Sequence, residues 1–251
     1  MADQSVYQFY AELDDFRPKI WRRFQTRNDI TFARLGYIVM TLFEMTGSHL
    51  FRIEVPWVKN LLSHRERTDP KGDHSFISSI DARSVWGFEV PFQLELDHND
   101  YDTRTETYDA SRSKLKSFLS HEGDKLQFNY DFGDDWNISL YLEKILVLQD
   151  FPGKELPRVL EGKGFGIVED CGGIPGLENL VKAFKKKKGE DYQLYSDWLG
   201  IADFDINTFD LDDMNFRVKK LPRIYQQSYE QMLSPTKQSI DLIERRHVVK
   251  N

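Results

Sequence analysis

The chain contains little of what several classes of protein depend on. It has one cysteine among 251 residues, which excludes an internal disulfide framework, predicts a reducing cytoplasmic location and makes a disulfide-linked partner unexpected. No stretch approaches the roughly 18 consecutive apolar residues of a membrane span. The N-terminus is acidic and amphipathic, without the basic start and apolar centre of a signal peptide. We therefore expect no membrane partner.

Positive charge is also scarce. The 34 lysines and arginines are outnumbered by 41 aspartates and glutamates, which gives a formal net charge of -7. This balance disfavours a protein built mainly to neutralise nucleic-acid phosphates, although a local basic patch is compatible with it. Hydrophobic residues at 40% and charged residues at 30% indicate a globular protein with a sizeable core. Aromatic residues, at 14%, predict an aromatic-rich core or an aromatic-lined cleft.

Hydrophobic periodicity predicts a mixture of strands and helices. Period-two alternation indicates strands at residues 6–13, 20–25, 49–55 and 85–96, and a β-hairpin at 125–148. Apolar residues spaced by three and four predict helices at residues 32–43, 177–184 and 192–199. The polar segments 60–83, 97–112 and 204–216 are predicted to be connections, and a short helix is expected within 113–120.

The hairpin at residues 125–148 carries the sharpest chemical feature, a tight acidic turn. Asp131, Asp134 and Asp135 place three carboxylates within five residues, and such a group could hold a hard cation such as Mg²⁺ or Ca²⁺. The alternative is structural, because aspartate is common in turns, where it bonds to its own backbone.

A second acidic segment lies in a glycine-rich loop. Six of the 15 glycines fall between Gly162 and Gly176, around Glu169, Asp170 and Cys171. No GK[ST] follows the glycines, so a phosphate-binding loop is weakly supported. Two neighbouring acids disfavour the thiolate of the cysteine, and no histidine is committed to it, so a nucleophilic role is weaker still.

Residues in three further segments are candidates. Arg22 and Arg23 are adjacent on a predicted strand and must point to opposite faces; one could be functional, or both could pair with acids on the sheet surface. His49 could be a metal ligand, a proton carrier or a hydrogen-bonded structural residue. Lysines at 185–188 end a predicted helix, where they complement its dipole and could also contact phosphates or an acidic partner.

Several short runs occur in a distinctive order and spacing. They are RPKIWRR at 17–23, HLF at 49–51, YDFGDDW at 130–136, EG at 161–162, EDCGG at 169–173, PG at 175–176 and FDLDDMNFRV at 209–218. Together they resemble the plasmid pRiA ORF-three-like family over about residues 5–221. The resemblance implies an α+β fold with a strongly curved, mainly antiparallel sheet and helices packed on it. We expect residues 1–221 to form this domain and residues 222–251 a C-terminal helical extension.

The resemblance does not imply a settled activity. Some members carry a transposon-resolvase label, but the serine nucleophile with surrounding arginines and the helix-turn-helix of a serine recombinase are not found in this sequence. The chain also departs from the family pattern. Ile138 stands where members often have histidine, and 166–168 (GIV) stand where they often have a cysteine and two prolines. A metal or redox site built on those residues in relatives would be lost here, whereas the acidic residues remain.

Two functions are therefore predicted. The first is a non-enzymatic cytoplasmic binding module linked to mobile elements, with a protein or nucleic-acid partner contacted by aromatic residues and by Lys185, Lys186, Lys187 and Lys188. The second is a divalent-metal-dependent hydrolase or nucleic-acid-processing enzyme, with the ion held by Asp131, Asp134, Glu169 and Asp170 and with His49 as a further candidate ligand. The predicted functional cleft comprises Arg22, His49, Asp131, Asp134, Trp136, Glu169 and Asp170.

Overall fold

The computed structural model describes residues 5–78, 80–81, 83–91, 105–147 and 155–245. Its framework is an eight-stranded sheet. The strands are β1 (Ser5–Leu13), β2 (Trp21–Arg27), β3 (Phe51–Val55), β4 (Val85–Glu89), β5 (Thr105–Asp109), β6 (Lys125–Tyr130), β7 (Trp136–Val147) and β8 (Arg158–Lys163). They lie in the order β5-β4-β3-β6-β7-β1-β2-β8, and every neighbouring pair is antiparallel except β4 and β5.

Helices accompany the sheet. They are α1 (Phe32–Leu42), α2 (Trp57–Thr68), α3 (Ser75–Ser78), α4 (Gly173–Lys186), α5 (Glu190–Leu199), α6 (Leu211–Val218), α7 (Leu221–Gln231) and α8 (Lys237–Ile243), with a 3-10 turn at Leu115–Ser117. The predicted α+β class, with a mainly antiparallel sheet and helices at the C-terminal end, is confirmed.

The core lies between one face of the sheet and α1. The β6–β7 hairpin alternates as predicted, with Phe128, Tyr130, Trp136 and Ile138 buried and the intervening side chains on the opposite, polar face. Helix α1 begins after Thr31, whose hydroxyl accepts a hydrogen bond from a backbone N–H of the first turn at 3.2 Å. Nearly every residue of α1 is buried, which is the expected result for a helix covering a large apolar sheet face.

The C-terminal helices pack on the sheet domain. The Tyr225 hydroxyl of α7 donates to the carbonyl oxygen of Met45 at 2.6 Å. Buried Glu44 accepts hydrogen bonds from Arg217 and Arg245, each at 2.6 Å, which ties the segment after α8 to the end of α1. Residues 221–245 thus share the core with the preceding elements, and the division of the chain at residue 221 stays a prediction.

Several predicted connections are regular structure. The prediction of a loop at residues 60–83 is wrong, because α2 and α3 occupy much of this segment. The sequence signal was weak there because α2 buries only Val58 and Asn60, so it lacks a full apolar stripe. Asn60 instead bonds both backbone groups of Lys125 at 3.0 Å.

Two more segments predicted to be connections contain a helix or a strand. The segment 204–216, predicted as an acidic connection, contains the start of α6, which Asp210 caps by accepting from two backbone N–H groups at 3.0 Å. The segment 97–112 contains β5, which pairs in parallel with β4. The predicted strand at 85–96 ends as β4 at Glu89, and its residues 92–96 lie outside the described part of the chain. The short helix expected at 113–120 is the 3-10 turn.

Candidate functional site

The tip of the β6–β7 hairpin and the glycine-rich loop meet in space. The Asp134 carboxylate accepts a hydrogen bond from the backbone N–H of Gly172 at 3.2 Å. A Cβ built on Gly173 would lie 2.4 Å from the carbonyl oxygen of Asp134. Since Gly173 also has a φ of +65°, only glycine suits this crossing. The metal hypothesis required the two acidic segments to approach each other, and here they do.

Three side chains converge beside this crossing. The Nδ1 atom of His49 lies 3.6 Å from Asp131 Oδ2, and its Nε2 atom lies 3.2 Å from Asp170 Oδ1. One ligand atom from each residue lies within 4.8 Å of the other two, so a single ion could contact all three after small side-chain rotations. Among the described residues, no other group of three His, Cys, Asp or Glu side chains has this property. We call this group the His49 cluster.

Both carboxylates of the His49 cluster are carried on left-handed backbone. Asp131 has a φ of +56° and Asp170 a φ of +60°, a conformation that costs most residues about 1 kcal/mol and that aspartate tolerates better. The N–H of Asp131 donates to the carbonyl of Leu50 at 2.9 Å, and its Oδ1 accepts from Gly133 N–H at 3.1 Å. These bonds fix the Asp131 carboxylate and leave Oδ2 on the side of His49.

The phenol of Tyr130 fixes the backbone that carries His49. Its oxygen accepts hydrogen bonds from the backbone N–H groups of Gly47, Ser48 and His49, at 3.2, 3.1 and 3.3 Å. Its hydroxyl donates to Glu169 at 2.6 Å. Burial, the largest cause, raises the pKa of Tyr130 above its ordinary value, so the hydroxyl remains a donor at neutral pH.

Glu169 lies next to the His49 cluster, and its carboxylate is hydrogen-bonded to the surrounding turn. Besides the Tyr130 hydroxyl, its carboxylate accepts from the backbone N–H of Thr46 at 2.7 Å, from the Ser48 hydroxyl at 2.8 Å and from the Thr46 hydroxyl. Both oxygens therefore have donors. This carboxylate holds the turn that precedes His49 against the glycine-rich loop.

The structure thus divides the predicted metal ligands into two groups. Asp131 and Asp170 face one another across His49, whereas Asp134 and Glu169 are engaged by backbone and hydroxyl donors of the neighbouring turns. Identification of any of them as functional stays a prediction. The pairing of His49 with these acids gave no local sequence signal, because it joins three segments that are distant in the chain.

The donor set selects among ions. One imidazole nitrogen and two carboxylate oxygens suit Mn²⁺, Fe²⁺ or Zn²⁺ better than Ca²⁺ or Mg²⁺, which prefer oxygen alone. The Asp170 side chain is 69% exposed, so the cluster opens to solvent on that side. Three protein ligands with an open position are the arrangement of catalytic rather than structural metal sites.

Arg22 lies away from the cluster and is completely buried. Its guanidinium donates to five backbone carbonyls at 2.6–2.9 Å, those of Trp21, Leu42, Lys163, Gly164 and Phe165. Burial lowers the pKa of Arg22 to about 9, which still leaves the group charged at neutral pH. The neighbouring Arg23 points to the other face, where it pairs with Glu143 at 2.6 Å and with Glu161.

The surroundings of Trp136 and Cys171, two other residues singled out from the sequence, differ. Trp136 faces Tyr130 across the hairpin and is completely buried; within the described residues its indole N–H has no hydrogen-bond partner. Cys171 is half-buried in the glycine-rich loop. Burial, followed by the charges of Asp134 and Asp170, raises the pKa of its thiol to about 12, in agreement with the expectation that the thiolate is disfavoured.

The predicted basic patch is at the end of α4. Lys185 and Lys186 are in its last turn, and Lys187 follows in left-handed backbone at a φ of +51°. Lys187 pairs with Asp203 at 3.1 Å, and all four lysines of 185–188 are exposed.

A polar groove of about 480 Å³ borders the hairpin turn on the face opposite the core. It is lined by Arg52, Glu54, Gln127, Asn129, Phe132, Asp135 and Asn137. Sequence reasoning missed these residues as a group, although the period-two alternation of β3, β6 and β7 places most of them on one face. Amide and charged groups make this groove suitable for a polar ligand.

Comparison with known proteins identifies the fold and the family. Residues 5–213 match the family model of the plasmid pRiA4b ORF-3-like protein. The chain is 26% identical over 220 residues to the uncharacterized protein y4hQ of Sinorhizobium fredii (strain NBRC 101917 / NGR234). The aligned region covers 86% of this chain and 92% of that protein. The crystal structure of MM3350, a protein of unknown function from Methanosarcina mazei Go1, shares this fold with a TM-score of 0.62 and 24% identity, over 84% of this chain and 97% of that one.

Within the described residues, no helix combines the length and the apolar character needed to cross a membrane.

The family match covers every element from β1 to β8 and ends inside α6. The chain therefore belongs to the plasmid pRiA4b ORF-3-like family.

Proposed function

We propose that the protein binds a divalent transition-metal ion at the His49 cluster and uses it in a hydrolytic reaction. The observation that supports this most directly is the convergence of one imidazole and two carboxylates from three distant segments within 4.8 Å. Asp170, the most exposed of the three, borders the open side. An ion held there by three side chains would retain positions for a water molecule and for a substrate oxygen.

The neighbouring groups support a preorganised site. Tyr130 and Glu169 hold the backbone of His49, and Asp134 holds the loop that carries Asp170. Such supporting hydrogen bonds orient metal ligands and tune their affinity in metalloproteins. The nearby groove with its amide side chains would favour a polar substrate, so we infer hydrolysis of a polar ester, amide or phosphoester.

Metal titration tests the proposal. Metal-free protein is titrated with Mn²⁺, Zn²⁺, Mg²⁺ and Ca²⁺ in calorimetry and thermal unfolding. At about 100 times the Kd, a single bound ion stabilises the folded state by about 2.7 kcal/mol, which is a rise in Tm of roughly 5–10 °C for a chain of this size. We expect this for Mn²⁺ or Zn²⁺ and not for Ca²⁺. Substrate screens then compare the loaded and metal-free protein.

The variants separate the site from surface charge. Asp170→Asn and His49→Ala should abolish the rise in Tm, whereas Asp203→Asn should preserve it. Asp203 is a matched control, because its side chain is 71% exposed and has a lysine partner rather than a histidine. If calorimetry detects no ion, or if all three variants respond like wild type, the proposal is wrong.

A second candidate function, the non-enzymatic binding module, is supported by α5. This helix has no buried residue, and Leu194 and Trp198 are 65% and 47% exposed. It follows the lysines of 185–188 in the same helical hairpin, so aromatic, aliphatic and cationic side chains lie on neighbouring elements. Aromatic stacking beside lysines is a means of binding single-stranded nucleic acid.

A labelled single-stranded oligonucleotide tests this candidate by fluorescence anisotropy. Binding should weaken with salt and with Trp198→Ala, because stacking and counterion release both contribute. The control is Trp86→Ala, which removes an indole stacked on Trp57 elsewhere in the fold. Binding that both variants leave unchanged would count against α5 as the contact surface. A cytoplasmic location stays a prediction for either function.

A further inference from the structure

A groove that shares no lining residue with the His49 cluster lies on the C-terminal helices. It has a volume of about 870 Å³ and is lined by residues of α6, α7, α8 and the junction between α6 and α7. This volume is typical of small-molecule sites. All its lining residues follow residue 213, where the match to the family model ends.

The charge of the groove is opposite to that of the protein. Four cationic side chains line it, namely Lys219, Lys220, Arg223 and Lys237, against one carboxylate, Asp241. Asp241 already pairs with Lys237 at 3.1 Å. In the part of the chain that the structure describes, Lys219, Lys220 and Arg223 form no ion pair within 4.0 Å. A chain of net charge -7 therefore presents a concentrated positive region here, which favours an anionic ligand.

The start of α7 brings cationic side chains together but supplies no free N–H groups of its own. Pro222 in the first turn has no N–H, and the N–H of Arg223 donates to the carbonyl of Lys220 at 3.2 Å. Leu221 between them in the chain is fully buried. The side-chain cations, rather than the helix start, therefore provide the positive charge of the groove.

The remaining wall is apolar. Phe216, Ile224 and Leu242 line the groove between the cations, and the Lys220 ammonium lies 3.7 Å from the centre of the Phe216 ring. The Phe216 side chain is 43% exposed. A ligand that has only charge would leave this surface in water, so the site suits an anion joined to a ring or another apolar body.

We propose that this groove binds a soluble phosphorylated small molecule of nucleotide size. The phosphate lies among Lys219, Lys220 and Arg223 at the start of α7, and the ring system lies against Phe216, Ile224 and Leu242. Charge alone would attract inorganic phosphate, and apolar surface alone would attract a neutral ring compound. The combination predicts a preference for molecules that carry both.

Calorimetry in the presence of EDTA tests the proposal with defined probes: AMP, adenosine, inorganic phosphate and lysophosphatidic acid. AMP should bind at least about tenfold more tightly than adenosine or phosphate, because it uses both parts of the groove. Higher salt should weaken its binding. Equal binding of AMP and phosphate, tighter binding of lysophosphatidic acid than of AMP, or no binding of any probe would overturn the proposal.

Charge-matched variants locate the site. Lys220→Ala with Arg223→Ala should weaken AMP binding by about tenfold or more. Lys59→Ala with Arg65→Ala removes the same charge from the exposed face of α2 and should leave the affinity within about twofold. All four side chains are exposed, so both double variants should fold, which circular dichroism checks. An equal loss in both would mean unspecific attraction and would also overturn the proposal.

Discussion

The glycine-rich loop is held at its two ends in contrasting ways. At the β8 end, the carbonyls of Lys163, Gly164 and Phe165 all accept from buried Arg22, so the hydrogen-bonding capacity of the guanidinium is used inside the protein. At the α4 end, Asp170 is largely exposed, in left-handed backbone, beside a histidine. The first arrangement is complete without a ligand, whereas the second leaves carboxylate oxygens open to solvent. Residues of similar sequence prominence thus separate into those whose polar atoms are all bonded within the protein and those that remain open to solvent.

The largest effect should come from the β8 end. Arg22→Lys retains the charge but supplies three donors where five carbonyls accept, so buried acceptors lose their partners. We expect the free energy of unfolding to fall by about 3 kcal/mol or more, measured by urea denaturation. Arg23→Lys, on the solvent face of the same strand, should cost less than about 1 kcal/mol. Equal losses would contradict the distinction between the two faces.

A smaller effect is expected from the link between the loop and the turn before His49. Tyr130→Phe leaves three backbone N–H groups without their acceptor and removes one donor from Glu169. We expect a loss of about 2 kcal/mol in the free energy of unfolding, together with weaker metal binding, because the backbone of His49 loses its support.

The control for this change is Tyr192→Phe. That phenol donates one exposed hydrogen bond, to the carbonyl of Ala202 at 2.9 Å, so its removal should cost only a few tenths of a kcal/mol. A stable Tyr130→Phe protein with unchanged metal affinity would show that the phenol is dispensable to the cluster.

The sequence predicted the fold where the hydrophobic pattern is continuous. The β6–β7 hairpin buries one face and α1 buries nearly all of its residues, and the predicted bounds of both end within one residue of the observed ones. It failed for β8, whose six residues RVLEGK bury only Val159, and for α2, whose tertiary contacts rather than its pattern hold it in place. An edge strand and a surface helix have too few buried residues to give a periodic signal.

The residue types of the candidate site were predictable from the sequence, but their arrangement in space was not. Asp131 and Asp170 were visible as unusual acidic runs and His49 as a candidate ligand, but nothing local indicated that the histidine would lie between these two acids. Arg22 was equally prominent, and its partners are backbone carbonyls, which leave no trace in side-chain identity; a functional role for it stays a prediction. Distances between segments, rather than residue type, decide which acids become candidate ligands and which cap a turn.

The last prediction concerns a reaction rate rather than stability. It tests the α4 end of the glycine-rich loop through its single cysteine, Cys171. The raised pKa of Cys171, about 12, means that almost all of the thiol is protonated at pH 8, since thiolate forms only near and above the pKa. Alkylation by iodoacetamide in the folded protein should be slower than that of a free thiol by about a thousandfold and should rise about tenfold per pH unit toward pH 10. The urea-unfolded chain is the control, where the rate should match free cysteine.

Neighbouring charge changes should shift this rate in predictable directions. Asp170→Asn removes one negative charge that disfavours the thiolate, so alkylation should be faster than in wild type at the same pH. A cation bound at the His49 cluster would offset the same charge and should also accelerate it, without any substitution. Acceleration by Mn²⁺ or Zn²⁺ in wild type but not in His49→Ala would therefore report ion binding at the open end of the loop. Fast alkylation of the folded, metal-free protein at pH 8 would contradict the burial and charge that surround Cys171.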